Sequence, residues 1–298
     1  MQQLLVDELT GDHVILAPAR ALRPDTFRVQ SAPLPANVPS CPFCGGNELE
    51  TPPEVARCGP GEADTPGWTT RVVPNKYPLV GDGVAGAHEV VIFSPAHDAD
   101  IGALSEAGAA DVMVALRDRA HFHLTNGLHY AQVFVNQGKA AGASIEHPHA
   151  QLVALDFLPT RARARLDHFT PAAFVDDQEH RVVDSEVRVW CPRAAATPFT
   201  MRLALTDGGD RFDEATDEQA AAVGVALRDA IGRIRSVIGD VAYNVMIETA
   251  PRHHSGAFRW WIDIVPRLTT TAGFELGTGL SVNIVAPAVA ADALRDAT

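Results

Sequence analysis

Basic residues are in short supply. The chain sets 24 Lys and Arg against 37 Asp and Glu, a formal charge of −13 over 298 residues. Affinity for a nucleic-acid backbone rests on many Lys and Arg contacts to phosphate, so the balance argues against a general nucleic-acid binder. It leaves room for a nucleotide, because a small anion needs only a local cluster of donors. Long apolar runs are missing too. No stretch approaches the ~18 consecutive apolar residues of a membrane span. The opening MQQLLVDELTGDH lacks a basic region followed by an apolar run, so no signal peptide is read there and a cytoplasmic location is expected. Cysteine is sparse: Cys41, Cys44, Cys58 and Cys191. Two of them lie three residues apart, a spacing that suits metal or redox chemistry better than a disulfide framework. What remains is ordinary globular material, 46% hydrophobic and 20% charged. It suffices for one large domain or two of usual size.

Local patterns place the elements. HVILA (13–17) reads as a strand, and ARALRP (19–24) as a turn-like stretch. Residues 31–67 are rich in Pro and Gly and read as loop. TRVVPNKYPLV (70–80) is short and extended, and EVVIFS (89–94) is an apolar strand. Val112, Leu116 and Ala120 recur every four residues and predict a helix over 105–124. HYAQVFVNQG (129–138) is a strand closed by a polar turn. The second half repeats this order. Thr216 and Gln219 suit a capping box. Val223, Leu227, Ile231, Ile234 and Ile238 then mark a helix stopped at Gly239. AYNVMIET (242–249) and RWWIDIVPR (259–267) are strands. Helix, strand, connection, strand in both halves suggests a duplication. In that event Trp261, Asp263 and Val265 stand where His147, His149 and Gln151 stand in the first half. The charged stretch 160–195 has no clear period and is expected to hold the boundary.

The densest chemistry lies in GASIEHPHAQL (142–152). His147, His149 and Gln151 alternate, and in an extended chain alternate side chains share a face. Pro148 favours this by pushing the residue before it away from helix. A solvated polar face would alternate in the same way. A neutral imidazole can attack phosphorus if one ring nitrogen is free and the other is held as a donor, commonly by a backbone carbonyl. Gln151 could donate to a phosphoryl oxygen. Upstream, Asn136, Gly138, Gly142 and Ser144 form a polar loop of small residues whose N–H groups could cradle phosphate. Such glycines can also simply shape a turn.

Cys41-Pro42-Phe43-Cys44 fits a zinc knuckle, since structural zinc takes four Cys or His ligands in a tetrahedron. No second cysteine pair exists, so the other ligands must be histidines, with His88, His97 and His147 among the candidates. A thioredoxin-type redox pair is the alternative, although Gly45-Gly46 makes a poor helix start. Cys58 and Cys191 read as buried or idle thiols.

With these residues in hand, the chain resembles the galactose-1-phosphate uridylyltransferase family of the histidine-triad superfamily. The resemblance begins near Arg20 and Arg23 in APARALRP. It runs through CPFCGGNE, RVVPNKYP, VVIFSPAHD, VNQGKAAGASIEHPHAQ and VPRLTTTAGFELGTG in the family's order. It implies an α+β fold of two fused histidine-triad-like halves, each a mainly antiparallel sheet with helices packed on it. Residues 1–175 would carry the zinc knuckle and the nucleophile, and 176–298 the acceptor or sugar side. Residue by residue, it implies that Cys41, Cys44, His97 and His147 hold one structural Zn2+. His149 becomes the nucleotidylated nucleophile, and Gln151 supports the covalent intermediate. Ser144, Asn136 and the adjoining Gly138 face phosphate, and Asn75 the nucleotide. Arg20 and Arg23 reach phosphate, in some members from the other subunit of a dimer. Phe274 and Glu275 match the sugar-facing segment.

The implied activity is nucleotidyl transfer between a nucleotide sugar and a sugar 1-phosphate, with a hexose-1-phosphate uridylyltransferase as the pattern and a homodimer as the working form. Orthophosphate as acceptor would make a phosphorylase of a nucleotide sugar or a dinucleotide polyphosphate. A zinc-stabilised nucleotide-binding protein without turnover is the reading of another class. The chain also departs from the family. Many relatives carry histidine at the position of Trp261, and some hold a second metal there. Here the stretch is Trp260-Trp261-Ile262-Asp263. A single metal site and an altered sugar or acceptor side are therefore expected. Ala150 replaces a Gly, Ser or Cys, a small change.

Overall fold

Each apolar, period-two run in the sequence becomes a strand, and most join one sheet. The computed structural model describes residues 2–22, 34–171 and 178–297. The strands are β1 (Gln3–Val6), β2 (His13–Leu16), β3 (Ala56–Cys58), β4 (Thr70–Pro74), β5 (Gly86–Ile92), β6 (Tyr130–Gln137) and β7 (His149–Leu155). They continue as β8 (Arg181–Val183), β9 (Val187–Trp190), β10 (Met201–Leu205), β11 (Tyr243–Glu248), β12 (Trp261–Pro266) and β13 (Ser281–Asn283). The helices are α1 (Glu106–Thr125), α2 (Thr160–His168), α3 (Asp217–Ile238), α4 (Gly273–Thr278) and α5 (Pro287–Asp296). Ten strands form a wholly antiparallel sheet in the order β3-β4-β5-β7-β6-β11-β12-β10-β9-β8. β1, β2 and β13 make a separate three-stranded sheet.

Period two sorts the side chains of the large sheet onto two faces. One face carries Val91, Val133, Val135, Ala150 and Leu152, which pack beneath α1 and α3 in the main core. Both helices are capped, α3 as its sequence predicts. The Ser105 hydroxyl accepts from the Gly108 N–H at 3.1 Å. Thr216 and Gln219 close a reciprocal capping box. The stripes Val112–Leu116–Ala120 and Val223–Leu227–Ile231–Ile234 are fully buried. Gly224 sets the helix spacing, because a Cβ there would lie 2.4 Å from the carbonyl oxygen of Ala109. The other face carries Val90, Ile92 and Val73, which gather with Phe43 of the segment before β3 and Trp68 of the loop before β4.

The helix–strand–strand order recurs as α1-β6-β7 and α3-β11-β12. The two sets join through β6 and β11, from Gln137↔Tyr243 to Val133↔Ile247. Gln151, Phe134, Met246 and Asp263 are successive cross-strand neighbours. The alternation Trp261, Asp263, Val265 therefore faces the same side as Gln151. The boundary placed at 175/176 lies outside the described residues. The stretch read as aperiodic holds α2, β8 and β9. β8 and β9 have three and four residues, too short for a period to register. β10 is buried at every position, so it shows no alternation either. Among the described residues no helix is long and apolar enough to cross a membrane.

One buried ion cluster ties the N-terminus to this sheet. The Arg202 guanidinium donates to Asp263 at 2.7 Å through Nε and to Asp7 Oδ2 at 3.2 Å through Nη2. It also lies 5.2 Å from the ring of Trp261. All three charged residues are less than a tenth exposed. Removing one member of a buried ion cluster leaves its partners charged and dry, which costs about 3–5 kcal/mol. Arg202→Met is therefore expected to lower unfolding stability by about that much. A chemical denaturation curve with an unchanged midpoint would contradict it.

Candidate active site

The knuckle lies on the face opposite the helices. Cys41, Cys44, His97 and His147 are buried, and their ligand atoms all lie within 4.8 Å of one another. Cys44 Sγ is 3.5 Å from His97 Nδ1, and His147 Nδ1 is 3.7 Å from both sulfurs. Metal–sulfur bonds of about 2.3 Å and metal–nitrogen bonds of about 2.0 Å in a tetrahedron place S and N about 3.5 Å apart. The four residues thus fit one tetrahedral ion. The ring of His147 is already oriented for it. Its Nε2–H donates to the Ser94 carbonyl at 2.8 Å, which leaves Nδ1 as the lone pair facing the sulfurs. Burial holds His147 neutral, with its pKa pushed down to about 4. Burial also raises the Cys41 thiol, an effect that a bound cation reverses. The backbone N–H of Val38 points at Cys44 Sγ, 3.5 Å away. The cysteine pair thus faces two imidazoles and opens no helix, unlike a redox motif.

One candidate ligand drops out and one expectation needs correction. His88 is not a ligand; its ring lies against Gln151. His147 is not in the strand, because β7 begins at His149. The alternation still holds on one face: the ring of Phe43 meets His147 at 6.0 Å and His149 at 5.3 Å, edge-on to both.

His149 has the geometry of a nucleophile. It is 7% exposed. Its Nδ1–H donates to the His147 carbonyl at 2.8 Å, so Nε2 carries a free lone pair. Burial lowers its pKa, opposed by this hydrogen bond, and the neutral form prevails at neutral pH. Beside it opens a cavity of about 800 Å³ whose walls include Gln151, Ser144, Phe43, Asn75 and Tyr77. Gln151 pairs with Val90 on one side and Phe134 on the other, which aims its amide into this cavity. The polar turn after β6 frames one end. Gly138 and Gly142 take φ of 80° and 91°, where a side chain would be strained. The Ala141 and Ala143 N–H groups both donate to the Gly138 carbonyl, which folds the turn back on itself. Asn136 Oδ1 accepts from Asn244 Nδ2 at 2.7 Å, so the Asn136 NH2 is turned toward the Gly142 side.

The remaining expected residues divide. Asn75 reaches the cavity, where its Oδ1 accepts from the Tyr77 N–H at 2.8 Å. Arg20 and Glu275 line a second cavity of about 470 Å³ around Arg202 and Asp263. Glu275 accepts there from the Ala272 N–H at 3.0 Å and caps α4. Phe274 is half exposed. Arg23 lies outside the described residues. Trp261 and Asp263 are engaged elsewhere: the indole N–H donates to Asp263 at 3.0 Å, and Asp263 holds Arg202.

Sequence reasoning missed three contributors. Tyr77 stands 81% exposed at the cavity mouth. Asn244 and His88 each grip an amide of the site. Their roles depend on which strands become neighbours, and no local pattern encodes that. Tyr77, within PNKYP, was legible only as part of the motif around Asn75.

Comparison with known proteins shows what the whole chain is similar to. Residues 69–159 match the family model described as the N-terminal domain of galactose-1-phosphate uridyl transferase. The chain is 32% identical to an ADP-glucose phosphorylase of Arabidopsis thaliana, over 99% of this chain and 92% of that protein. It is 26% identical to a probable galactose-1-phosphate uridylyltransferase of Drosophila melanogaster, over 98% and 94%. The crystal structure of the Arabidopsis ADP-glucose phosphorylase with bound ADP-glucose superposes with a TM-score of 0.87 at 31% identity, covering 100% of this chain and 99% of that one. A uridylyltransferase structure shares the fold, with a TM-score of 0.75 at 21% identity over 99% and 97%.

Proposed function

The chain belongs to the galactose-1-phosphate uridylyltransferase family, and on that premise we propose that it transfers a nucleoside monophosphate through a covalent nucleotidyl-His149 intermediate. The observation that carries this reading is the free Nε2 of a buried, neutral His149 at the wall of the large cavity. Nε2 attacks the α-phosphorus of a nucleotide sugar. The bond from that phosphorus to the bridging oxygen breaks, and the sugar 1-phosphate leaves with that oxygen. An acceptor phosphate oxygen then attacks the same phosphorus and releases His149. Two displacements of this kind give ping-pong kinetics. The Gln151 and Asn136 amides stabilise charge on the non-bridging oxygens. Zn2+ is the ion we assign to the knuckle, in a structural role; its contribution is to seat Phe43 against His149.

Orthophosphate is the acceptor we favour, and an ADP-sugar the donor. The support is the 32% identity, across nearly the whole chain, to a protein named for phosphorolysis of ADP-glucose. A hexose 1-phosphate acceptor with a UDP-sugar donor is the second reading. It rests on the family match and on the Drosophila relative. We further assign the halves 1–175 and 176–298 to donor and acceptor sides. Arg20 and Glu275 line a cavity other than the one beside His149, which favours a homodimer in which they serve the partner's site.

The test is intact-protein mass after brief incubation with ADP-glucose or UDP-glucose, quenched without acid because phosphoramidates hydrolyse there. An AMP or UMP adduct names the base. The trapped enzyme is then offered orthophosphate or a hexose 1-phosphate, and loss of the adduct with one of them names the acceptor. No adduct with either donor, despite measurable nucleotide binding, would favour a non-catalytic binding protein.

A further inference from the structure

His88 is buried at 6% exposure, sits on β5 and touches no part of the metal cluster. Its side chain is sandwiched between two groups whose polarity is known. The Leu79 backbone N–H points at Nδ1, 3.1 Å away. A backbone N–H can only donate, so Nδ1 is the acceptor and the proton of the neutral ring is on Nε2. Burial lowers the pKa of His88, so the ring stays neutral and this tautomer persists. Nε2 lies 2.8 Å from Gln151 Oε1 and donates to it. The Asn75 amide nitrogen, 3.2 Å from the same ring nitrogen, is also a donor, because Asn75 Oδ1 is taken by the Tyr77 N–H. That approach is therefore not a hydrogen bond.

The consequence falls on Gln151. With its oxygen held by His88, its NH2 must point away, into the cavity beside His149. A flipped amide would set NH2 against N–H and leave an oxygen facing the phosphoryl group. The same arrangement recurs at Asn136. Arg267 Nε donates to Asn244 Oδ1, so Asn244 turns its NH2 outward. That NH2 donates to Asn136 Oδ1 at 2.7 Å and to the Ala141 carbonyl at 3.0 Å. The Asn136 NH2 is then left facing the polar turn. Asn136 lies two residues beyond Phe134, the cross-strand partner of Gln151, and so on the same face of the sheet.

We propose that His88 and Asn244 are positioning residues for nucleotidyl transfer, each holding the oxygen of one amide, Gln151 or Asn136, so that its NH2 faces the phosphoryl group attacked by His149. The inference rests on the transfer reading above and adds how the donors are preset. Neither residue touches the reacting atoms. Fixing an amide before the substrate arrives removes the reorganisation that two flip states would require, which is how preset dipoles favour a transition state.

A double-mutant cycle on the rate of adduct formation tests this. The full chain is mixed with ADP-glucose or UDP-glucose, whichever labels the wild type, and the single-turnover rate is read by quenched mass spectrometry. His88→Ala is expected to slow labelling about 10- to 100-fold, less than the roughly 100- to 1000-fold cost of losing a transition-state donor outright, while nucleotide diphosphate binds within about 3-fold of wild type. His88→Gln, whose NH2 can still donate to Gln151, is expected to recover most of the rate. In a Gln151→Ala background the His88→Ala change should have almost no further effect. Asn244→Leu should behave likewise with Asn136→Ala. A thermal melt for each variant separates folding from rate. If His88→Ala costs the same with and without Gln151, or costs nothing in either, the positioning role is overturned while the transfer reading stands. If the wild type itself forms no adduct, the transfer reading fails and this inference falls with it.

Discussion

His149→Ala forms no covalent adduct with any nucleotide sugar and loses at least about 10⁴-fold in turnover, about 5 kcal/mol of transition-state stabilisation at 1.36 kcal/mol per decade. The reason is geometric. Alanine removes the Nε2 lone pair, whose direction is fixed because the partner nitrogen is tied to the His147 carbonyl. Nothing nearby replaces it. His88 is turned to Gln151 and presents a proton, not a lone pair. His147 faces the sulfurs with one nitrogen and Ser94 with the other. Binding should survive, because Gln151, Asn75 and Ser144 keep their places on the cavity wall. The expected signature is thus a lost rate with nucleotide affinity kept within a few-fold. Turnover within tenfold of wild type would show that the reaction goes by direct displacement, without the covalent step.

The second large effect concerns the knuckle. Stripping the ion with a strong chelator, or Cys44→Ser, should unfold residues 36–47 and abolish labelling of His149, while the large sheet stays intact. Structural zinc in small motifs contributes about 10–16 kcal/mol to folding, comparable to the entire stability of a typical domain. The inner loop has little to replace that. Its apolar contribution is Phe43, the partly buried Val38 and the two cysteines themselves, against Trp68, Val73, Val90 and Ile92. The outer loop is different. Arg71, 1% exposed, donates to Glu54 at 2.7 Å, Thr51 at 2.8 Å, the Glu48 carbonyl at 3.2 Å and Asp64 at 2.5 Å. Residues 48–64 should therefore stay seated without the ion. Hydrogen exchange read by mass spectrometry distinguishes the two segments. Equal loss of protection across 36–64 and the sheet would mean that the ion supports the whole fold. No change anywhere would mean that the four residues bind none.

Much of this was legible in the sequence, and the limits have physical causes. Helices α1 and α3 could be placed because each buries one stripe and exposes the rest, so the period survives in the residues. β6 could be placed for the same reason at period two, whereas β7, β11 and β12 are buried almost throughout and could be placed from their apolar, β-branched and aromatic runs. β10 could not, since both of its faces are covered and its five residues are all apolar or shielded. The knuckle and the histidine row were visible because ligand chemistry restricts residue type at fixed spacing, although Cys-x-x-Cys also admits a redox pair and the alternating row a solvated face. His88 was visible as a histidine but not as a partner of Gln151. Strands β5 and β7 are separated by α1 and β6 in the chain, and their register, Val90 against Gln151, is a property of the assembled sheet. The same holds for Asn136 and Asn244, more than a hundred residues apart.

The join between β6 and β11 has a consequence for how the protein can be handled and how it can have arisen. Five residue pairs cross it, and on each side the neighbouring strand belongs to its own half. A half expressed alone would present that strand as a bare edge, with a row of unpaired N–H and C=O groups flanked by Val133, Val135 or Val245, Ile247. Such edges recruit other chains. Each fragment should therefore aggregate or pair with a second copy of itself through the exposed strand. A self-paired half is also the simplest ancestor of the present chain, with gene fusion converting an edge that once chose its own twin into an internal hinge-free seam.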